Sequence, residues 1–284
     1  MNITFPRQDW GLGTAYERVA VYALLDEWLA PRALRTLFEG PIDGMAGIPG
    51  IHGIGLARKG VAVEVGLSDE GALANVRDIY ASLGMAERVT TRLCDPEAPL
   101  PERAWDAVIT YNAFPLIDDW RGLLHRVANA SRRWVVVAVT NPVSYGASIR
   151  KAIRLVEPAK KMELFDHEST RPDCLEPELR KIGRIQAHAY FDCPWWPDLF
   201  VDAGESLLGS TLKRLPVIGP AFMARKGTQG AAPSDFVHGA GKFPLLDHDA
   251  ELKAALRRHP AFDRAPEPVA KLFGHLHAYL VERD

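Results

Sequence analysis

Between residues 34 and 192, short apolar runs rich in β-branched residues alternate with stretches in which apolar side chains recur every three or four positions. The first pattern is typical of buried strands and the second of amphipathic helices. Strands that alternate with helices are joined by right-handed crossovers, and such crossovers leave the strands parallel. The sequence therefore predicts an α/β fold with a doubly wound, mostly parallel sheet.

The predicted core has a helical segment before it and an extension after it. Residues 1–33 contain an amphipathic helix near Thr14 and Glu17, which have the spacing of a capping box. Residues 193–284 begin with a stretch rich in proline, glycine and aromatic residues, and their last stretch, HLHAYLVER, alternates like a closing strand. We expect a single domain overall, with residues 34–192 as its core. The predicted core strands are residues 34–39, 61–67, 88–93, 105–111, 133–139 and 184–192.

Composition and charge exclude several classes of protein. The 284 residues carry 34 basic and 36 acidic side chains, a formal net charge of −2, which provides no broad basic surface for nucleic acid. The three cysteines are far apart and form no CxxC pair, so we interpret them as thiols of a reducing compartment. The first residues lack the pattern of a signal peptide, and no apolar run is long enough to span a membrane. We therefore expect a cytoplasmic protein.

A glycine-rich stretch, FEGPIDGMAGIPGIHGIGLARKG, follows the first predicted strand. Its seven glycines would let backbone N–H groups approach a ligand at the carboxyl edge of the sheet, where open parallel sheets bind their ligands. The spacing matches neither the G-x-G-x-x-G motif of nicotinamide-binding proteins nor the Gly-Lys-Ser/Thr of a P-loop. The stretch predicts a ligand site of another kind.

The order of these features resembles the class I S-adenosylmethionine-dependent methyltransferases, which have a Rossmann-like fold. In that family the first strand ends in an acid followed by a glycine-rich loop, as Glu39 and its loop do here. The second strand ends in an acid that holds the ribose, a role that Glu64 would take in VAVEVGL. The fourth strand leads into the active-site loop, to which WDAVITYNAFPLIDDW is similar. The resemblance covers residues 34–192 and implies S-adenosylmethionine as the cofactor.

This resemblance implies a set of site residues. Those that would bind the cofactor are Glu39, Gly40, Gly44, Gly47, Glu64, Asp95 and Asn112. Methyl transfer mainly requires alignment of the acceptor with the methyl group, and sometimes removal of a proton. The candidates for a base or orienting group are Tyr111, His167 and His188, and those for the wall around the acceptor are Phe114, Trp195 and Trp196. No metal is expected, because no clear third ligand stands at a suitable spacing.

Several interpretations of function stay open. The first is a methyltransferase that acts on a small-molecule or lipid-like acceptor. The second is a non-catalytic protein that uses the same fold for interaction or assembly, because Pro41 and Asp43 interrupt the usual loop and Gly66 stands where the ribose-binding acid fits best. A nicotinamide-dependent oxidoreductase ranks third, since the glycine spacing is missing. The apolar and basic stretch 199–226 leaves peripheral membrane contact open, and a homodimer also stays open.

Overall fold

The computed structural model describes residues 11–45, 47–156, 167–193, 262 and 265–284. At its centre lies a seven-stranded sheet in the order β3-β2-β1-β4-β5-β7-β6. Neighbouring strands are parallel except at β7, which lies antiparallel between β5 and β6. The strands are β1 (Thr36–Asp43), β2 (Ala62–Leu67), β3 (Val89–Leu93), β4 (Trp105–Tyr111), β5 (Ser131–Thr140), β6 (Gly183–Phe191) and β7 (Leu276–Arg283).

Helices cover both faces of this sheet. Asp69 and Asp119 cap two of them, because each carboxylate accepts a backbone N–H from the first helical turn. The described α-helices are α1 (Gly11–Leu29), α2 (Ile54–Ala57), α3 (Glu70–Ser82), α4 (Trp120–Ala130), α5 (Tyr145–Val156), α6 (Pro172–Ile182) and α7 (Glu267–Phe273). None of the helices within the described ranges is long and apolar enough to cross a membrane.

The two faces of the sheet carry separate apolar layers. On the first face, α1, α2 and α3 pack against the sheet, with Leu29 and Ile54 fully buried. On the second face, α4 and α6 do so, with Trp120 and Leu175 buried. Successive side chains of a strand point to opposite faces of the sheet. Two residues near the carboxyl edge can therefore contact each other only if their side chains lie on the same face.

The structure confirms the predicted α/β class, and it differs from the prediction at β1. This strand runs on to Asp43, past the predicted end at Glu39. β2 leaves β1 after the pair Glu39 and Val65, while β1 continues along β4 with a shift of register. Gly40 has a φ of 138°, and a Cβ there would lie 2.2 Å from the carbonyl oxygen of Gly66. Only glycine allows this close passage, so the strand continues where the sequence pattern indicates a loop.

Two other elements refine the sequence analysis. The helix after the glycine-rich loop, α2, is only four residues long. The closing strand, β7, is inserted inside the sheet between β5 and β6, so the end of the extension 193–284 completes the core sheet. The first described element, α1, and the last, β7, thus both pack with the core formed by the parallel strands.

Candidate active site

The carboxyl ends of β1 and β4 lie side by side at the centre of the sheet, where the strand order reverses. β2 and β3 extend the sheet on one side of this point, and β5 extends it on the other. Open α/β sheets bind ligands in the crevice at such a reversal. The residues that build the candidate site at this edge are Glu39, Asp43, His52, Tyr111 and Asn112.

Glu39 joins β1 to the start of α2. Its Oε1 accepts the backbone N–H of His52 at 2.8 Å, and its Oε2 accepts that of Gly53 at 2.9 Å. Burial raises the pKa of this carboxyl; His52 opposes the rise and the neighbouring Asp43 adds to it. The buried side chain holds the end of the glycine-rich loop against the strand.

Asp43 ties the middle of the loop to the end of β1. Its Oδ1 accepts the backbone N–H of Met45 at 2.8 Å, and its Oδ2 accepts that of Gly50 at 2.9 Å. The same Oδ2 lies 2.9 Å from Nε2 of His52. Burial by itself raises the pKa of Asp43, but His52 and the hydrogen bonds outweigh burial, so the pKa is lowered. Asp43 is therefore an ionised anchor of the loop.

Two consecutive residues of α1 reach the same edge. The hydroxyl of Tyr111 donates to Oε1 of Glu17 at 2.6 Å. Arg18 is fully buried; its Nη2 donates to the carbonyl oxygen of Ile48 at 2.6 Å, and its Nη1 lies 3.4 Å from Nδ1 of His52. The ring of His52 in turn stacks on Tyr111, with centroids 4.4 Å apart. α1 thus closes over the ends of β1 and β4.

Tyr111 is a hydrogen-bond donor in this setting. Burial raises its pKa well above the ordinary value for tyrosine, and the carboxylate of Glu17 raises it further. At neutral pH the side chain is a phenol whose proton is donated to Glu17. It can orient a ligand, but it cannot act by itself as a base.

The buried side chains of Glu39, Asp43 and His52 each offer a ligand atom, and these atoms lie within 4.8 Å of one another. A metal ion on Nε2 of His52 would require the ring proton to sit on Nδ1. That nitrogen faces Arg18, whose guanidinium has only donors, so two donors would meet there. With α1 in this position the three side chains are held together by hydrogen bonds, and the contact with Arg18 opposes the tautomer that a metal ion on Nε2 needs.

Gly44 and Asn112 are packed together beyond the ends of β1 and β4. The N–H of Gly44 donates to the carbonyl oxygen of Tyr111 at 2.8 Å, and a Cβ on Gly44 would lie 2.2 Å from the carbonyl oxygen of Asn112. Asn112 itself has a φ of 45°, and its Oδ1 accepts the hydroxyl of Thr140 at 3.2 Å. Gly47 is buried in the same loop. The structure therefore brings Glu39, Gly44 and Asn112 together at one edge.

Glu64 does not reach this edge. Its Oε1 accepts the Nε proton of Arg92 at 2.6 Å, and its Oε2 accepts the indole N–H of Trp105 at 3.1 Å. Glu64 pairs with Phe38, one residue before Glu39, so its side chain points to the second face, where Phe38 and Trp105 lie. Both carboxylate oxygens of Glu64 are thus engaged away from Glu39.

The carboxyl end of β2 carries no acid. A Cβ on Gly66 would lie 2.6 Å from Cζ of Phe38 and 2.7 Å from Sγ of Cys94, so side chains already fill this position. The nearest acid, Asp69, caps α3 through the N–H of Ala72. Asp95, after β3, is exposed, and its Oδ1 accepts the backbone N–H of Glu97 at 2.9 Å.

Other sequence-predicted residues lie apart from Tyr111. Phe114 is fully buried in the second-face layer, 5.8 Å from the ring of Trp120, whereas Tyr111 belongs to the first-face layer. His188 stacks on Tyr279, also of the second-face layer, at 4.3 Å. The structure thus separates Phe114 and His188 from Tyr111 by the sheet.

His167 has a local structural contact. Its Nδ1 accepts the backbone N–H of Ser169 at 3.3 Å and so caps the short 3-10 turn Glu168–Thr170. Trp195 and Trp196 lie outside the described residues.

Asp43, His52, Glu17 and Arg18 belong to the site but were not predicted from the sequence. One signal was available for Arg18, because it falls on the same helical stripe as Val21, Leu25 and Trp28, which the structure buries. A charged residue on a buried stripe requires a buried partner. No comparable pattern marks His52 within its run of glycines.

No family model and no curated protein matches this chain. Solved structures do match. Magnesium protoporphyrin IX methyltransferase (ChlM) from Synechocystis PCC 6803, with bound SAH, is 16% identical with a TM-score of 0.50 over 62% of this chain and 77% of that chain. The [4+2]-cyclase SpnF is 14% identical with a TM-score of 0.50 over 93% of this chain and 80% of its own. The MccD protein is 7% identical with a TM-score of 0.50 over 93% of this chain and 96% of its own. At these identities the similarity establishes the fold.

Proposed function

We propose that this chain, which has the fold of the class I S-adenosylmethionine-dependent methyltransferases, binds S-adenosylmethionine at the carboxyl edge of β1 and β4 and methylates a small-molecule or lipid-like acceptor. The observation that carries the proposal is the buried contact of Glu39 with the N–H groups of His52 and Gly53. It fixes a glycine-rich loop and a helix start at the reversal of strand order, the point at which sheets of this kind bind ligands.

Several residues at this edge are placed where they could contact S-adenosylmethionine. Gly44, Gly47 and Asn112 would border the cofactor, because they lie at the loop and at the end of β4. Met45, Ile48 and Ile51 are buried on the inner side of the loop and exclude water from it. When bound, S-adenosylmethionine supplies an electrophilic methyl group on its sulfonium.

The chain's own contribution to the reaction is mainly positional. Tyr111 is held on one side by the ring of His52 and on the other by Glu17, so its hydroxyl and ring have a fixed orientation. A positioned side chain lowers the barrier by holding the acceptor in line with the methyl group. The net charge of −2 favours a small acceptor over nucleic acid.

One observation favours a second candidate, a non-catalytic protein with the same fold. The end of β2 offers Gly66 and Leu67 in place of a ribose-binding acid, and Asp43 already accepts two N–H groups of the loop. A separate point is that one protein with this fold is named as a [4+2]-cyclase, so the fold alone does not specify which reaction a chain catalyses.

Calorimetric titration with S-adenosylmethionine, and separately with S-adenosylhomocysteine, tests the proposal. We expect binding of micromolar strength, reduced at least tenfold in Glu39→Gln, because the amide NH2 that replaces one carboxylate oxygen would face a backbone N–H. The exposed Glu97→Gln is the matched control and should bind like the wild type. Absence of binding of either ligand to a folded wild-type protein would reject the cofactor site and favour the non-catalytic candidate.

A further inference from the structure

His52 contacts three elements that converge at the carboxyl edge. It is 1% exposed, its backbone N–H is bound by Glu39 of β1, and its ring stacks on Tyr111 of β4 at 4.4 Å with an angle of 28° between the planes. Its ring nitrogens face Asp43 of β1 and Arg18 of α1.

The two polar neighbours assign the ring proton of His52. The ionised carboxylate of Asp43 can only accept a hydrogen bond, so the nitrogen 2.9 Å away, Nε2, carries the proton. The guanidinium of Arg18 can only donate, so Nδ1, at 3.4 Å from Nη1, offers its lone pair. The imidazole therefore bridges a buried anion and a buried cation.

Two further hydrogen bonds of α1 connect it to the loop and to β4. Arg18 also donates to the carbonyl oxygen of Ile48 in the loop, at 2.6 Å, and the adjacent Glu17 accepts the hydroxyl proton of Tyr111. Movement of His52 would thus break the link between Asp43 and Arg18 and remove the aromatic ring against which Tyr111 rests.

We propose that His52 is a positioning residue of the site: its ring sets the orientation of Tyr111, and its two nitrogens lock the glycine-rich loop to α1 through Asp43 and Arg18. Ligand binding at the edge then requires α1 and the loop as one unit. The inference rests on the proposed function for the identity of the ligand, S-adenosylmethionine, but the positional role of His52 is defined without it.

Two substitutions separate the polar role of His52 from its stacking role. His52→Gln keeps an N–H donor for Asp43 and a carbonyl acceptor for Arg18 and loses the ring. His52→Phe keeps a ring that can stack on Tyr111 and loses both polar atoms. The exposed His125→Gln, on α4, is the matched control.

The first measurement uses no ligand: amide hydrogen exchange at Met45 and Gly50, whose N–H groups are bound by Asp43. We expect exchange at least tenfold faster than wild type in His52→Phe, and within threefold of wild type in His52→Gln. Unchanged exchange in His52→Phe, or equally fast exchange in both variants, would overturn the proposal. If His52→Phe does not fold, Arg18→Met against Arg18→Lys provides the same comparison, since lysine keeps a charged donor.

The second measurement is calorimetric affinity for S-adenosylmethionine. We expect a loss of at least tenfold in His52→Phe and a partial rescue in His52→Gln, whereas wild-type affinity in His52→Phe would overturn the proposal. If the wild type binds neither S-adenosylmethionine nor S-adenosylhomocysteine, the proposed function fails, and the exchange rates still decide the role of His52.

Discussion

Tyr111 at the end of β4 donates its phenolic proton to Glu17 of α1, with 2.6 Å between the two oxygens, although the residues are 94 positions apart in the chain. The bond connects the amino-terminal helix to the centre of the sheet. Arg18, the next residue, reaches the loop that follows β1. The helix that precedes the core in sequence is therefore a wall of the candidate site.

The hydroxyl of Tyr111 is expected to stabilise the fold. Tyr111→Phe keeps the ring that stacks on His52 and removes the donor to Glu17, so the free energy of unfolding should fall by about 1.5–3 kcal/mol, the value for a hydrogen bond to a charged group. Tyr111→Ala, which also removes the stack, should lose more. Urea unfolding followed by circular dichroism measures both. Equal stability of Tyr111→Phe and the wild type would show that the bond contributes nothing.

The close passage of Gly44 under Asn112 allows no side chain. In Gly44→Ala the new Cβ would lie 2.2 Å from a carbonyl oxygen of the backbone, so the ends of β1 and β4 must separate. We expect a loss of about 1–3 kcal/mol in unfolding free energy. Gly55→Ala is the control, because nothing lies within 4 Å of its Cβ position and alanine favours the helix α2. The melting temperature should fall in Gly44→Ala and rise in Gly55→Ala. A shift of both melting temperatures in the same direction would contradict the packing of Gly44 against Asn112.

Glu64 provides a test of the ribose assignment implied by the resemblance. Its two carboxylate oxygens are bound by Arg92 and Trp105, so Glu64→Ala is expected to leave the affinity for S-adenosylmethionine within twofold of wild type. Stability should fall by about 1–3 kcal/mol, because the indole N–H of the buried Trp105 loses its acceptor, whereas the pair with the exposed Arg92 contributes little. Calorimetry and urea unfolding measure the two quantities. A tenfold loss of affinity without loss of stability would instead support contact of Glu64 with the ribose.

His277 on β7 should make stability depend on pH. Burial lowers its pKa from 6.5 to about 3, while its Nε2 donates to the carbonyl oxygen of Thr170 at 2.8 Å. Because the folded pKa lies below the unfolded value, the unfolded chain binds more protons between these pH values, and stability is lost as pH falls through that window.

His277→Gln keeps a donor for Thr170 and does not titrate. We expect the pH slope of the unfolding free energy, measured by urea unfolding between about pH 6 and pH 4, to decrease by about 1.4 kcal/mol per pH unit in this variant. The exposed His125→Gln should keep the wild-type slope. A slope in His277→Gln as steep as that of the wild type would show that another group is responsible.

Much of the fold could be predicted from local patterns. β4 occupies Trp105–Tyr111, as the apolar run predicts, and α4 and β5 follow in the expected order. The sequence also placed Glu39 and the glycine-rich loop at the carboxyl edge, because a strand followed by a loop and a helix must end there. The sequence could not show that β1 continues past Gly40, because this continuation depends on how closely the backbone of Gly40 approaches that of Gly66 in β2.

The sequence by itself determined the alternation of strands and helices, because a period of two or of 3.6 residues is a local property of the chain. Tertiary structure alone decided that Glu64 turns towards Arg92 and that Arg18, Asp43 and His52 meet at one edge. Charged and polar side chains that are buried must find partners, and the partners available are those that the packing of distant segments brings within hydrogen-bond distance. No pattern along the chain encodes that choice, so the site forms only through the packing of α1 on the sheet.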